Sequence, residues 1–318
     1  MGRRMLLRSF AILLALTVAG LIVIGASFAE PKYVIGFSHV ALNAPYYLAM
    51  QKAAEDAQQK YNIKVIIYNA EMNVNKQVGD VEDLLVKGIN ALVVNPTTEF
   101  GLKPAIQKAV AKGIPVVAID RPLYGDYLTY VGIDQWKAGE LQGEFLGEYL
   151  KGKGNILELA GDPGDPAGQG RGGGLRKVLK AKYPDIKILA TYSAHYNQAE
   201  GMARMEDGIA AFGDKINLVY CHNDAMALGA LDALKAHNMK TPVAAVDGQK
   251  EAYKAIMESN GQYLSTVVNN SWEITNKAME VLMKYLDTKE KPPKKIITGT
   301  VLVTEKNVKQ YYDPNAIF

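Results

Sequence analysis

The chain has 318 residues, 48% of them hydrophobic and 22% charged, with 36 basic side chains against 33 acidic ones. That is apolar material for about two ordinary domains. The near-balance of charge excludes a surface built chiefly for nucleic acid, and the single cysteine, Cys221, excludes an internal disulfide.

The chain opens with Arg3, Arg4 and Arg8 and no acid, followed by an apolar stretch at 11–24 and by small residues at Ser27 and Ala29. These are the three parts of a secretory signal peptide, residues 1–29, with cleavage expected after Ala29. The nearly polar-free stretch 10–29 is also long enough for an uncleaved anchor, which needs ~20 residues. "GRRMLL" loosely fits a twin-arginine export signal. Without residues 1–29 the chain carries 33 basic and 33 acidic groups. No cysteine follows the apolar segment to carry a lipid, so a cut product would be free, which suits a periplasm.

Beyond residue 30, short apolar runs at 33–37, 64–68, 91–94 and 115–119 alternate with longer stretches of helical spacing. In 46–61, Tyr47, Met50, Ala54, Ala57 and Tyr61 fall on one helical face. A second set of apolar runs follows at 155–160, 186–191, 217–220 and 242–246. Strands alternating with helices predict an α/β fold of parallel sheets with right-handed crossovers.

The two sets read as two copies of one unit. "LLVKGINALVVNP" (84–96) and "AAFGDKINLVYCHND" (210–224) each run from a helix end through glycine and "IN" to a strand and an asparagine. Each then passes through a helix and a Pro-led strand to an aspartate, from Asn95 to Asp120 and from Asn223 to Asp247. Gly113 and Asn238 are expected left-handed helix stops before Pro115 and Pro242. In "VVAIDRP" (116–122) a buried strand ends in Asp120 and Arg121, and Pro122 prevents its continuation. Such residues often cap helices, and Asp224 is a candidate for that role. Capping explains Asp120 poorly, because Arg121 and Pro122 follow it rather than a helical turn.

In open parallel sheets, ligands bind outside the carboxyl ends of the strands. Tyr46 and Tyr47 fall there, as do His195, Tyr196 and Asn197, and Asn269 with Trp272. Residues 160–174 read as a flexible, glycine-rich loop carrying Arg171. Acids, amides and arginines together with aromatic faces suit a sugar, whose hydroxyls donate and accept while its C–H faces are apolar. Taken singly, tyrosines such as Tyr47 and Tyr196 are more often core aromatics, and their position after strands brings the ligand reading level with that.

"NAPYY", "VVNPT", "AIDRP", "HNDAMALGAL" and "AVDG" carry a resemblance to the type I periplasmic sugar-binding proteins, the ribose- and galactofuranose-binding group of ABC importers. It spans about residues 32–310. The resemblance implies two doubly wound parallel-sheet lobes joined by a three-crossing hinge, with a monosaccharide between them. The expected lobes are 30–133 plus 270–295 and 134–269 plus 296–318, crossing near 133–135, 268–271 and 294–298. Carried over by position, the family's ligand residues fall on Tyr46, Tyr47, Asn95, Asp120, Arg121, Arg171, Tyr196, Asn223, Asp247 and Asn269. Ala44 replaces an asparagine of many ribose binders, tyrosines replace phenylalanines, and the hinge amide is Asn rather than Gln. These departures bear on which pentose, galactose or polyol is taken. Lobe closure would present the sugar-loaded form to membrane permease subunits. A monomer without cofactor or nucleic-acid partner is expected.

Other chemistry has weaker support. "GQGRGG" (168–173) fits a dinucleotide pattern, but no acidic residue closes the next strand. His39, His195, His222 and His237 show no zinc spacing. His222 is expected to pack beside the crevice or touch the ligand, His39 and His195 could do the same, and His237 is expected to be structural. Asp120 and Asp247 could form a glycosidase pair, although each has an asparagine about one βα unit upstream. An exported sugar-processing enzyme and a receptor feeding a chemosensor remain alternatives. A sugar-responsive repressor would need a helix-turn-helix where this chain has its apolar segment.

Overall fold

A computed structural model of the chain describes residues 30–318, and the expected signal peptide lies outside them. Two six-stranded sheets account for all the strands among the described residues. The first contains β1 (Val34–His39), β2 (Lys64–Asn69), β3 (Ala91–Val94), β4 (Val116–Ile119), β5 (Thr129–Gly132) and β11 (Lys295–Ile297), in the order β11-β5-β4-β3-β1-β2. The second contains β6 (Lys153–Ala160), β7 (Asp185–Ser193), β8 (Leu218–Cys221), β9 (Val243–Ala244), β10 (Tyr263–Val267) and β12 (Leu302–Thr304), in the order β12-β10-β9-β8-β6-β7. Strand for strand the two orders match, so the repeat in the sequence is a repeat of topology. One difference is at the edge, where β11 runs parallel to β5 and β12 antiparallel to β10.

The helices are α1 (Pro45–Tyr61), α2 (Val74–Val86), α3 (Lys103–Ala111), α4 (Gln135–Tyr149), α5 (Pro166–Lys182), α6 (Gln198–Phe212), α7 (Asp224–Ala236), α8 (Lys250–Glu258) and α9 (Ser271–Thr288). Their starts follow side-chain chemistry. Asn73, Asp134, Asp165, Asn197, Asn223 and Asn270 each accept a backbone N–H of the first helical turn. The predicted stops at Gly113 and Asn238 have φ of 74° and 55°, the left-handed conformation that ends a helix. β3 and β4 are buried along their whole length, as continuous apolar runs in a parallel sheet must be.

The chain passes from one sheet to the other between β5 and α4, between β10 and α9, and between β11 and β12. The helices after the first two crossings are exchanged. α4 packs on α5 and β10 of the second sheet, while α9 packs on α1, β4 and β5 of the first. Gln142 of α4 fixes this by accepting from Ser265 Oγ (2.9 Å) and donating to Ala245 O. The third crossing comes later than the sequence suggested. Ile296 and Ile297, expected in the second lobe, pair with Val131 and Gly132 of β5, so the turn to the second sheet lies at 298–301.

Residues 160–174 are not a flexible loop, because α5 begins at Pro166 and Arg171 lies in its second turn. The glycines that suggested a loop allow two helix backbones to touch. A Cβ on Gly174 would lie 2.2 Å from Trp136 O, and one on Gly139 of α4 2.2 Å from Arg171 O. The dinucleotide-like pattern 168–173 therefore sits inside a helix rather than in a phosphate-binding turn.

Candidate functional site

The carboxyl ends of the strands in both sheets open onto one shared cavity. Its wall includes Tyr46, Tyr47, Asp120 and Arg121 from the first lobe and Arg171, Tyr196, Asn223 and Asp247 from the second. Eight of the ten residues singled out in the sequence are thus brought together. The other two, Asn95 and Asn269, are fully buried directly behind the wall. Asn95 donates to Asp120 Oδ2 at 3.1 Å. Asn269 donates to Asp247 Oδ1 at 3.1 Å and to the Tyr46 hydroxyl at 2.9 Å. Ala44 and Ala167 complete the lining.

The polar groups are held at fixed orientations. Tyr46 donates its hydroxyl to Asp120 Oδ1 at 2.7 Å. Arg171 lies 2.9 Å from Asp247, donates Nε to Gln135 at 2.8 Å, and donates a terminal nitrogen to His222 O. Arg121 donates to the Tyr47 hydroxyl at 3.2 Å. Across the cavity, its Nε lies 3.3 Å from Asp165 Oδ1, and its guanidinium sits 5.8 Å from the Tyr196 ring centroid. Tyr196 donates to the other oxygen of Asp165. Arg121 and Asp165 therefore form a direct ionic contact between the lobes.

Two aspartates stand at unusual backbone angles, φ 63° for Asp120 and 128° for Asp247, and Tyr196 is left-handed at 56°. Positive φ is uncommon away from glycine, and such strain tends to gather at functional sites. Neighbouring groups hold these turns. Tyr130 donates to Asp120 O at 2.9 Å, and Asp224 accepts Gly248 N and Gln249 N at 2.7 Å each.

Burial pushes the Asp247 carboxyl up to about 6, even with Arg171 and Asn269 favouring its charge. Burial, reinforced by the charge of Asp247, lifts Asp224 to about 7. Burial would also raise Asp165, but Arg121, Tyr196 and the Gly168 N–H outweigh it and hold this carboxyl below its usual range. Burial beside Asp120 and Asp247 keeps the Tyr46 hydroxyl protonated far above its ordinary range. The cavity wall thus offers carboxylate acceptors, guanidinium donors and tyrosine faces together.

Other residues named from the sequence lie elsewhere. Trp272 is half exposed and lines a separate cavity. His195 is exposed and pairs with Asp162 at 2.6 Å, while Asn197 caps α6. His222 packs behind Arg171, with Nε2 2.9 Å from Glu158 and Nδ1 accepting from Gly161 N. His237 closes α7 and pairs with Glu206 at 2.6 Å. Asn223 caps α7 as well as lining the cavity, whereas Asp224 caps nothing and holds the turn after Asp247. Sequence reasoning missed Asp165, Gln135 and Asp224 as supports of the site. Asp165 lies in the stretch 160–174, which reads in the sequence as a flexible loop, whereas it caps α5. No group of His, Cys, Asp and Glu among the described residues could hold a metal ion, and no described helix is long and apolar enough to cross a membrane.

Residues 35–291 match the family model described as "Periplasmic binding protein domain". The ribose import binding protein RbsB of Bacillus subtilis is 34% identical over 249 residues, which cover 78% of this chain and 79% of that protein. A crystal structure of a galactofuranose binding protein superposes with a TM-score of 0.83 at 27% identity, covering 88% of this chain and 97% of that one. An ABC transporter solute binding protein from Mycobacterium smegmatis, with bound glycerol, superposes with a TM-score of 0.82 at 32% identity, covering 87% and 96%. With two matched lobes, a shared cavity at their strand ends and these similarities, the chain belongs to the periplasmic binding protein family.

Proposed function

We propose that this protein is an extracytoplasmic solute-binding protein that captures a monosaccharide or related polyol between its lobes and delivers it to an ABC-type importer. The observation that carries this reading is the cavity itself, whose wall takes acids, arginines and tyrosines from both lobes. A polyhydroxylated guest can accept from Arg121 and Arg171, donate to Asp120 and Asp247, and lay its C–H face on Tyr46, Tyr47 or Tyr196. The relatives named above are a ribose import protein, a galactofuranose binder and a transporter component with glycerol, which supports a guest of this class.

The first lobe comprises residues 32–133 and 271–297 and the second 134–267 and 302–310, with the crossings between them as hinge. Ligand favours closure only by touching both lobes, and the wall provides groups on each side. Residues 1–29 direct export to the periplasm and are removed after Ala29. Asp120 and Asp247 are each held as acceptors by donors on either side, an arrangement for binding rather than for an acid facing a base.

Thermal shift of residues 30–318 against D-ribose, D-xylose, D-galactose, xylitol and myo-inositol tests the reading. A ligand at 100 times its Kd stabilises by about 2.7 kcal/mol. A selective rise with one or two of these, with the sugar recovered unchanged, is expected. Turnover of the sugar would contradict the reading in favour of an enzyme.

A further inference from the structure

Residues 311–318 return from the second lobe to the first. The 3-10 turn Val308–Gln310 packs on α8 of the second lobe. Beyond it, Asp313 accepts Asn315 N at 2.8 Å through its side chain and Ala316 N at 3.2 Å through its carbonyl, so the chain reverses. Lys250, at the start of α8, donates to Ala316 O at 2.7 Å. Phe318 then lies only 7% exposed in the hydrophobic cluster that holds Tyr46, Met50 and Ile274. Its ring meets Tyr46 edge-on, with centroids 5.3 Å apart and planes at 81°.

Tyr46 joins three parts of the site. Its hydroxyl bridges Asp120 and Asn269, and its carbonyl accepts from Ser271 Oγ at 2.7 Å. Phe318 packs against the ring that these bonds orient. The segment is fastened at both ends: Tyr311 and Tyr312 pack on the hydrophobic cluster of the second lobe, the Tyr311 ring 6.3 Å from that of Tyr253, and Phe318 sits in the cluster around Tyr46.

We propose that residues 311–318 form a fourth connection between the lobes, and that Phe318 is a positioning residue that sets Tyr46 in the binding wall. The segment ties α8 of the second lobe to the tyrosine at the start of α1, so lobe setting and Tyr46 orientation are coupled. The effect on binding rests on the sugar-binding reading above; the mechanical coupling does not.

Hydrogen exchange on the full chain, without added sugar, tests the coupling directly. Phe318→Ala is expected to speed exchange of amides in 44–50 at least tenfold and leave β6–β8 unchanged, with Phe318→Leu restoring most of the protection. Calorimetry with D-ribose, D-galactose, xylitol and myo-inositol follows. F318A is expected to weaken whichever of them binds the wild type by about five- to tenfold, and to have little further effect in a Tyr46→Ala background. Unchanged exchange at 44–50, or an equal loss of affinity with and without Tyr46, would overturn the proposal. If the wild type binds none of the four, the sugar reading fails while the exchange result still decides the coupling.

Discussion

At the end of β4, Asp120 donates its backbone N–H to Val131 on β5 at 2.9 Å; just past β9, Asp247 donates to Val267 on β10 at 2.8 Å. Both corners place the aspartate at positive φ, 63° at Asp120 and 128° at Asp247. Their side chains are held differently. Asp120 is bonded by Asn95, the amide one βα unit upstream, and by Tyr46. Asp247 is not bonded by its upstream counterpart Asn223, which caps α7, but by Asn269 from the crossing and Arg171 from α5. Duplication preserved the place of each aspartate and exchanged its partners. A repeat in sequence therefore locates a site more securely than it assigns its bonds.

The largest expected difference between the corners lies behind Asp247. Asp224 receives Gly248 N, Gln249 N and the hydroxyls of Tyr263 and Thr266, and the Asp120 corner has a tyrosine hydroxyl in that role instead. Asp224→Ala strands these buried donors and should cost about 3–5 kcal/mol in urea unfolding. Asp224→Asn keeps an acceptor and, since burial already holds this carboxyl near 7, should cost no more than about 1 kcal/mol. Equal losses would show that charge, not hydrogen bonding, fixes the corner.

Next come the aspartates themselves. Asp247→Ala leaves the buried Arg171 without its carboxylate and should destabilise by about 3 kcal/mol. Asp120→Ala leaves Arg121 its Asp165 partner and should cost about 1–2 kcal/mol. Both variants should lose sugar binding, so affinity treats the corners alike and stability separates them. Asp165→Asn retains an oxygen to cap α5 but removes the charge facing Arg121 across the cleft. It should weaken sugar binding about tenfold, or about 1.4 kcal/mol, and, because the buried Arg121 keeps only Asp120 as a carboxylate partner, lower stability by about 1–2 kcal/mol.

A further difference lies in the response to pH. Burial holds His39, stacked on Phe37 and edge-on to Tyr47, at about 3. The unfolded chain therefore takes up that proton first, and stability falls as pH drops from about 6.5 toward 3, by up to ~1.4 kcal/mol per unit. Asp224 and Asp247, raised to about 7 and about 6, act oppositely: the folded chain takes up the proton first, and stability rises as pH falls toward 4. His39→Phe removes the first contribution only, so its melting temperature relative to wild type should climb between pH 6 and pH 4. A constant offset would assign the acid sensitivity to other groups.

Much of this was legible in the sequence, for physical reasons that also mark where legibility ended. Strand runs such as 116–119 are buried on both faces, so apolar continuity identified them. Arg171 was placed at the site but on a loop, because a helix with five glycines in seven residues (168–174) looks unfavourable until its close contact with α4 is known. Trp272 was misplaced because the turn at Asn270 rotates it away from the cavity that Asn269 supports. Asp165 and Phe318 act through partners distant in sequence, Arg121 and Tyr46, and no local spacing announces such contacts.

The central claim is that both corners grip one polyhydroxylated guest in a shared cavity. Isothermal titration of residues 30–318 with the sugar or polyol that most raises the melting temperature tests it, run beside Asp120→Ala and Asp247→Ala. The account expects one site per chain, lost in each variant while far-UV circular dichroism stays that of the wild type. Undiminished binding in either variant would contradict it.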